Sequence, residues 1–253
     1  MSAASRPSGL AGRRILVTGA GSGIGLKFVE DALADGADCV ATVRNDEEAA
    51  VVERLMPRSR VLQADLADVA RASIVVADAI SRLGGSMDGL VYCAGVFDLR
   101  GALETSLEQW RAVFDVNLDS AFEIARESAR QMVDDGGGSI VLVSSQIGIV
   151  GHPRAAAYAA SKAAVNGLVR ALAVELAPAG IRANAVAPGP IATAMTEAAR
   201  ADPVRSRNLL STIPLGRFGE AEEVSQAIRF LISDAASFIT GQVLCVDGGV
   251  TAA

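Results

Sequence analysis

A regular alternation of short and long segments constrains this chain more than any single residue does. Seven short runs rich in β-branched residues stand out: RILVTG (14–19), DCVATVR (38–44), RVLQAD (60–65), GLVYCAG (89–95), SIVLVSS (139–145), IRANAVAPG (181–189) and GQVLCVDGG (241–249). Helical patterns lie between them, at 25–34, 69–83, 107–132, 157–176 and 220–231, and Gly, Asp or Asn punctuates most junctions. Repeated strand–helix units with apolar strands imply a parallel sheet covered on both faces. The expected fold is α/β, a doubly wound parallel sheet whose ligands bind at the carboxyl ends of the strands. A length of 253 residues suits one such domain, taken as 12–253 after a short flexible leader at 1–11. The stretch 188–214 carries Pro188, Pro190, Pro203 and Pro214, and reads as an irregular lid or substrate loop.

Composition removes several functions. The net charge of −6 argues against attraction to nucleic acid or anionic lipid. No apolar run approaches the roughly 18 residues of a membrane span. Cys39, Cys93 and Cys245 are odd in number, far apart and free of any CxxC pattern, which fits thiols in a reducing, cytoplasmic compartment. His152 is the single histidine, so a His-based metal site is not expected, and a Ser-His triad would need it as the base.

The first strand runs into LVTGAGSGIGLKFVEDAL, placing Gly19, Gly21, Gly23 and Gly25 between strand and helix. Glycines there let backbone approach a pyrophosphate, and the helix amino terminus offers free N–H groups and a positive dipole end. A tight turn without a ligand would use the same residues, but the position on the first βα unit favours a nucleotide. The second pattern is AAAYAASKAAV (155–165). The chain has two tyrosines and two lysines, and Tyr158 and Lys162 stand four apart, on one helix face. A free phenol has a pKa of about 10, too high to exchange protons well near neutrality, and a nearby cation lowers it. An exposed helix face with a chance pairing is the bland alternative.

Gly19, Gly23 and Gly25 follow a Gly-x-x-x-Gly-x-Gly spacing after Thr18, which resembles the TGxxxGIG signature of the short-chain dehydrogenase/reductase family. The resemblance extends over about 12–250, through DLAD (65–68), CAG (93–95), VNLDSAF (116–122), VLVSSQIG (141–148), YAASK (158–162), NAVAPGPIAT (184–193) and VDGG (246–249). It implies a Rossmann-type fold and an NAD(P)-dependent oxidoreductase interconverting a secondary alcohol and a ketone, like 3-oxoacyl reductases or related small-molecule carbonyl reductases. It implies Tyr158 as general acid/base, Lys162 lowering its pKa and holding the nicotinamide ribose, Ser145 orienting the substrate oxygen, and Asn117 completing a proton relay. Taken alone, Ser145 would read as a strand-end hydroxyl capping a turn.

For the cofactor, the resemblance implies Gly19, Ser22, Gly23, Ile24 and Gly25 at the pyrophosphate, Asp65 and Leu66 at the adenine, and Cys93, Ala94 and Gly95 beside it. Pro188, Gly189, Ile191 and Thr193 would grip the nicotinamide. An acid at the end of the second strand reads the NAD ribose, and an Arg a 2′-phosphate. Val43 fills the acid's place and Arg44 follows, which favours NADP over NAD; Ser22, in a slot often basic in NADP enzymes, and Asp46, near enough for the ribose, point the other way. YCAG departs from the usual NNAG, so Cys93 cannot supply that Asn's hydrogen bonds. Substrate contacts are expected from Ser145, Gln146, His152, Tyr158 and Met195, and the resemblance implies a homotetramer. A catalytically idle dinucleotide sensor or scaffold is the rival reading. An epimerase or dehydratase fits less well, since only about 60 residues follow Thr193.

Overall fold

The computed structural model of the protein describes residues 9–253. Seven strands, β1 (Arg14–Thr18), β2 (Asp38–Val43), β3 (Val61–Gln63), β4 (Gly89–Tyr92), β5 (Gly138–Val143), β6 (Ile181–Pro188) and β7 (Val243–Val246), form one sheet in the order β3-β2-β1-β4-β5-β6-β7. Every neighbouring pair is parallel. Side chains alternate across the sheet, as a period of two requires. Leu16, Leu90, Ile140 and Leu142 enter one core with α3 (Ala72–Arg82), α5 (Ser120–Asp134) and α6 (Ala156–Leu176). Ile15, Val17, Val91 and Val141 enter the other with α1 (Gly23–Ala34), α2 (Asp46–Val52) and α9 (Ala221–Ile232). Strand order reverses between β1 and β4, which opens the crevice where such sheets bind ligands.

The strands end earlier than their apolar runs. Gly19, Asp65, Cys93–Gly95 and Ser144–Ser145 lie past the strand ends, and Gly19, Asp65, Ala94 and Gly95 line the crevice. The stretch 107–132 is not one regular helix. It is α4 (Leu107–Phe114), opened by a Ser106–Gln109 capping box, then a π-helical turn at Asp115–Asp119, then α5.

Two expectations give way. The stretch 188–214 folds into α7 (Ala194–Ala201) and α8 (Pro203–Ser211) rather than an irregular loop. Asp202 accepts hydrogen bonds from the Val204 and Arg205 N–H groups, and Pro203 occupies the first helical turn, where its missing N–H costs nothing. The flexible leader expected at 1–11 gives way at its far end. Residues 1–8 lie outside the described residues, but Leu10 is buried in the α1 core and its carbonyl accepts the Arg13 N–H at 2.9 Å. Helix α2 was not foreseen; it is nucleated by Asn45, whose side chain accepts the Glu48 N–H.

Leu142 is fully buried at the centre of the sheet. Leu142→Ala is expected to cost about 2–5 kcal/mol, read as a lowered denaturant midpoint with little change in the transition slope.

Candidate active site

The glycine loop is built by close approach. Gly19 has φ +63°, and a Cβ there would fall 2.6 Å from the Ala94 Cα, where β1 and β4 part. A Cβ on Gly25 would lie 2.3 Å from the Gly19 carbonyl oxygen, so α1 can pack against the turn only with glycine. Ser22 is the N-cap of α1 but makes no side-chain cap, which leaves the first N–H groups of the helix free of a side-chain partner. Ile24 packs against the core and holds that first turn down. The loop opens on a cavity of about 630 Å3 lined by Gly19, Ser22, Arg44, Asp65, Leu66 and Ala94, among others. The free helix terminus and the glycine cradle fit a dinucleotide phosphate.

Around this cavity, the Asp65 carboxylate accepts the Ala67 N–H at 3.0 Å, and Leu66 is buried with its carbonyl accepting from Ser120. Thr18 ties β1 to the start of this segment: its hydroxyl accepts the Ala94 N–H and its carbonyl the Cys93 N–H. Burial pushes the Cys93 thiol up to about 12, against a downward pull from the Lys162 ammonium, so this cysteine is a packing residue.

The catalytic candidates meet beside Gly95, where a Cβ would lie 3.2 Å from Asn117 Oδ1 and 3.5 Å from Lys162 Nζ. Asn117, in the π turn and fully buried, accepts the Val96 N–H at 2.8 Å and donates to the Val96 carbonyl and the Ser161 hydroxyl at 3.0 and 3.1 Å. Ser161 in turn donates to the Tyr158 carbonyl. Lys162 Nζ donates to the Val143 carbonyl at 2.8 Å and lies 5.8 Å from the centroid of the Tyr158 ring. Burial lowers its pKa to about 8. The Ser145 side chain lies near enough to the Tyr158 phenol to pull its pKa down, and the ring packs edge-on to Phe97 at 4.7 Å.

Burial raises the phenol, and the Ser145 side chain is what pulls it down. The Lys162 ammonium is anchored on the Val143 carbonyl and lies over the Tyr158 ring, 5.8 Å from its centroid. Ser145 Oγ accepts the Ile147 N–H of the following turn, the capping part that its place at a strand end suggested.

Pro188, Gly189, Ile191 and Thr193 leave β6 beside β7. The Gly189 N–H bonds the Val246 carbonyl, the backbone at 190–192 pairs with Gly219, and the Thr193 methyl would be 3.4 Å from a Cβ on Gly23. This segment therefore closes against the glycine loop. Gln146 is buried with its Oε1 unpartnered. His152 and Met195 are not brought to Ser145 and Tyr158 by any described contact: the His152 ring bonds the Pro153 carbonyl and Met195 is 53% exposed on α7. Sequence reasoning missed Ser144 and Asn166, which tie the end of β5 and its following turn to α6, Ser161, which ties the π turn to α6, and Glu48, whose carboxylate takes the Arg44 N–H. The Asn45-x-x-Glu48 spacing, an N-cap followed by an acid at the third helical position, carried the Glu48 signal.

The fold, the phosphate cradle and the Ser–Tyr–Lys cluster define a dinucleotide-dependent oxidoreductase of the Rossmann type. The family model described as enoyl-(acyl carrier protein) reductase matches residues 19–251. A galactitol 2-dehydrogenase (L-tagatose-forming) from Cereibacter sphaeroides is 43% identical over 240 residues, covering 93% of each chain. A 3-oxoacyl-[acyl-carrier-protein] reductase from Thermotoga maritima is 41% identical, covering 95% of this chain and 98% of its own. A solved structure from Beutenbergia cavernae, described as an NAD(P)-dependent gluconate 5-dehydrogenase with NADP bound at low occupancy, superposes with a TM-score of 0.93 at 41% identity, covering 98% of this chain and all of its own. The chain belongs to the short-chain dehydrogenase/reductase family. It is an NAD(P)-dependent enzyme of that family, interconverting alcohols and ketones, and the idle sensor is not supported.

Cys39 is fully buried and its thiol, like that of Cys93, is pushed up to about 12 by burial. At pH 8 both are expected to alkylate far more slowly in the native protein than in denaturant, scored by mass spectrometry of the labelled peptides. Rapid native labelling of Cys93 would mean that the thiol is open to solvent.

Proposed function

We propose that the protein is a cytoplasmic NADP-preferring reductase of a small ketone, running in reverse on the matching secondary alcohol. The observation that supports this is the buried Lys162 ammonium, held on the Val143 carbonyl 5.8 Å from the Tyr158 ring, with Ser145 beside that phenol. A nicotinamide cofactor, when bound, supplies or takes up the hydride. Ser145 Oγ and Tyr158 Oη orient and polarise the substrate oxygen. In reduction Tyr158 donates its proton to that oxygen as negative charge develops there, and burial keeps the phenol protonated for the task. Lys162 balances the phenolate left behind, and Asn117 holds the backbone at Val96 against α6 so that the cluster keeps its spacing. Gln146 and the α7–α8 segment border the substrate; His152 and Met195 would join them only if that segment closes further.

The cofactor reading assigns the phosphates to Gly19, Ser22, Gly23, Ile24 and Gly25, and the adenine to Asp65 and Leu66. Cys93, Ala94 and Gly95 border the cofactor, Lys162 holds the nicotinamide ribose, and Pro188, Gly189, Ile191 and Thr193 hold the nicotinamide. Arg44 at the end of β2, beside the apolar Val43, supports a 2′-phosphate. A homotetramer is consistent with exposed apolar side chains on two faces: Phe122 and Val133 on α5, and Phe230, Phe238 and Leu244 near α9 and β7. No helix among the described residues is long and apolar enough to cross a membrane.

Fluorescence titration with NADPH and NADH tests the cofactor assignment. Wild type is expected to bind NADPH more tightly, and Arg44→Ala to remove the preference. Tighter binding of NADH by wild type would sink it. Tyr158→Phe is expected to lower kcat by ~10²–10⁴ while leaving cofactor affinity in place. Substantial residual turnover would remove Tyr158 from the proton transfer. In the reductive direction kcat/KM is expected to be level below pH 8 and to fall above it, because Lys162, with a pKa of about 8, loses the charge that balances the phenolate. A profile still level at pH 9.5 would detach Lys162 from the step.

A further inference from the structure

We propose that Glu48 is a cofactor-specificity residue: its carboxylate serves as the ribose 2′-hydroxyl acceptor that β2 lacks, and holds back the preference for NADP. The proposal rests on the reading above that Arg44 lies at the adenosine 2′ position.

Val43 closes β2 with an apolar side chain, so the strand itself offers no acceptor there. Glu48 brings one from α2. The Asn45 cap on the Glu48 N–H sets the first turn, and the side chain returns over the glycine loop. A Cβ on Gly21 would fall 2.5 Å from the Glu48 Cβ and Cγ and 2.7 Å from its Cδ, so the carboxylate stem lies directly against the loop. Glu48 Oε2 accepts the Arg44 N–H at 2.8 Å, and Oε1 accepts from the Arg44 guanidinium at 3.3 Å. Both residues line the 630 Å3 cavity with Ser22, Thr42 and Asp65, while Asp46 does not. The Glu48 side chain is 24% exposed and that of Arg44 68%, so the carboxylate is fixed and the guanidinium is free to swing.

This geometry treats the two cofactors unequally. A ribose 2′-hydroxyl is a donor, and a carboxylate accepts from it with a charge-assisted bond. A 2′-phosphate is an acceptor carrying about two negative charges near neutrality, as phosphate monoesters do. It meets like charge at Glu48 and finds two Arg44 donors already engaged there. NADP therefore binds only as Arg44 turns from Glu48 to the phosphate, and the residual repulsion stays.

The test is titration with NADPH and NADH of wild type, Glu48→Gln, Glu48→Ala and Arg44→Ala. Glu48→Gln keeps an acceptor for the Arg44 N–H and removes only the charge, and thermal melting checks that each variant is folded. Both Glu48 variants are expected to move the ratio of the two dissociation constants toward NADPH by ~10-fold or more, as loss of a charged hydrogen bond and of a like-charge contact requires. Glu48→Ala should also weaken NADH. If Arg44→Ala changes the ratio and neither Glu48 variant does, this inference fails alone. If Arg44→Ala leaves the ratio unchanged, the Arg44 reading fails and this inference with it.

Discussion

The site depends on one buried ammonium. Lys162 sits in the interior of α6 with no carboxylate partner in its described contacts, held by the Val143 carbonyl at the end of β5. Burying a cation without a counter-charge is costly and lowers its pKa, here to about 8. The fold tolerates it because its neighbours are satisfied. Ser144 reaches both the Lys162 carbonyl and Asn166, Ser161 links Tyr158 to Asn117, and Asn117 clamps the β4 loop. The lysine thus stands at the junction of β4, β5, the π turn and α6.

That network explains the position of the π turn. Asp115–Asp119 interrupts the regular hydrogen bonding between α4 and α5, and Asn117 is its central residue. Tyr92, buried at the end of β4, donates its hydroxyl to the Val116 carbonyl at 2.7 Å, a bond that gives one buried carbonyl of the turn a partner. Local helical geometry gives way where the site needs a buried amide between two strands and a helix.

The glycine loop and the Lys162 cluster lie on opposite sides of the β1–β4 parting, so a ligand in the crevice spans both. Gly19 against Ala94 sets the width of that parting, and Thr193 against Gly23 closes it from the β6 side. Packing between backbones, rather than any ion pair, therefore sets the spacing between the phosphate cradle and the proton-transfer cluster.

Much of this was readable from residue order alone. Seven apolar, β-branched runs alternating with helical patterns determined a parallel two-faced sheet, because strands buried on both sides must be apolar throughout. The Gly19–Gly25 spacing and the Tyr158–Lys162 pair determined where a phosphate and a proton relay would lie, because helical and turn geometry depend on near neighbours. Tertiary structure decided the rest. It brought Ser145 beside Tyr158, raised the pKa of the phenol by burying it, and anchored Lys162 on the Val143 carbonyl. It folded most of 188–214 into two capped helices, set the His152 ring on the Pro153 carbonyl and left Met195 exposed on α7. It also carried Glu48 back over Gly21 to Arg44. Burial and contacts between residues distant in sequence depend on how whole elements dock, and no local pattern encodes that.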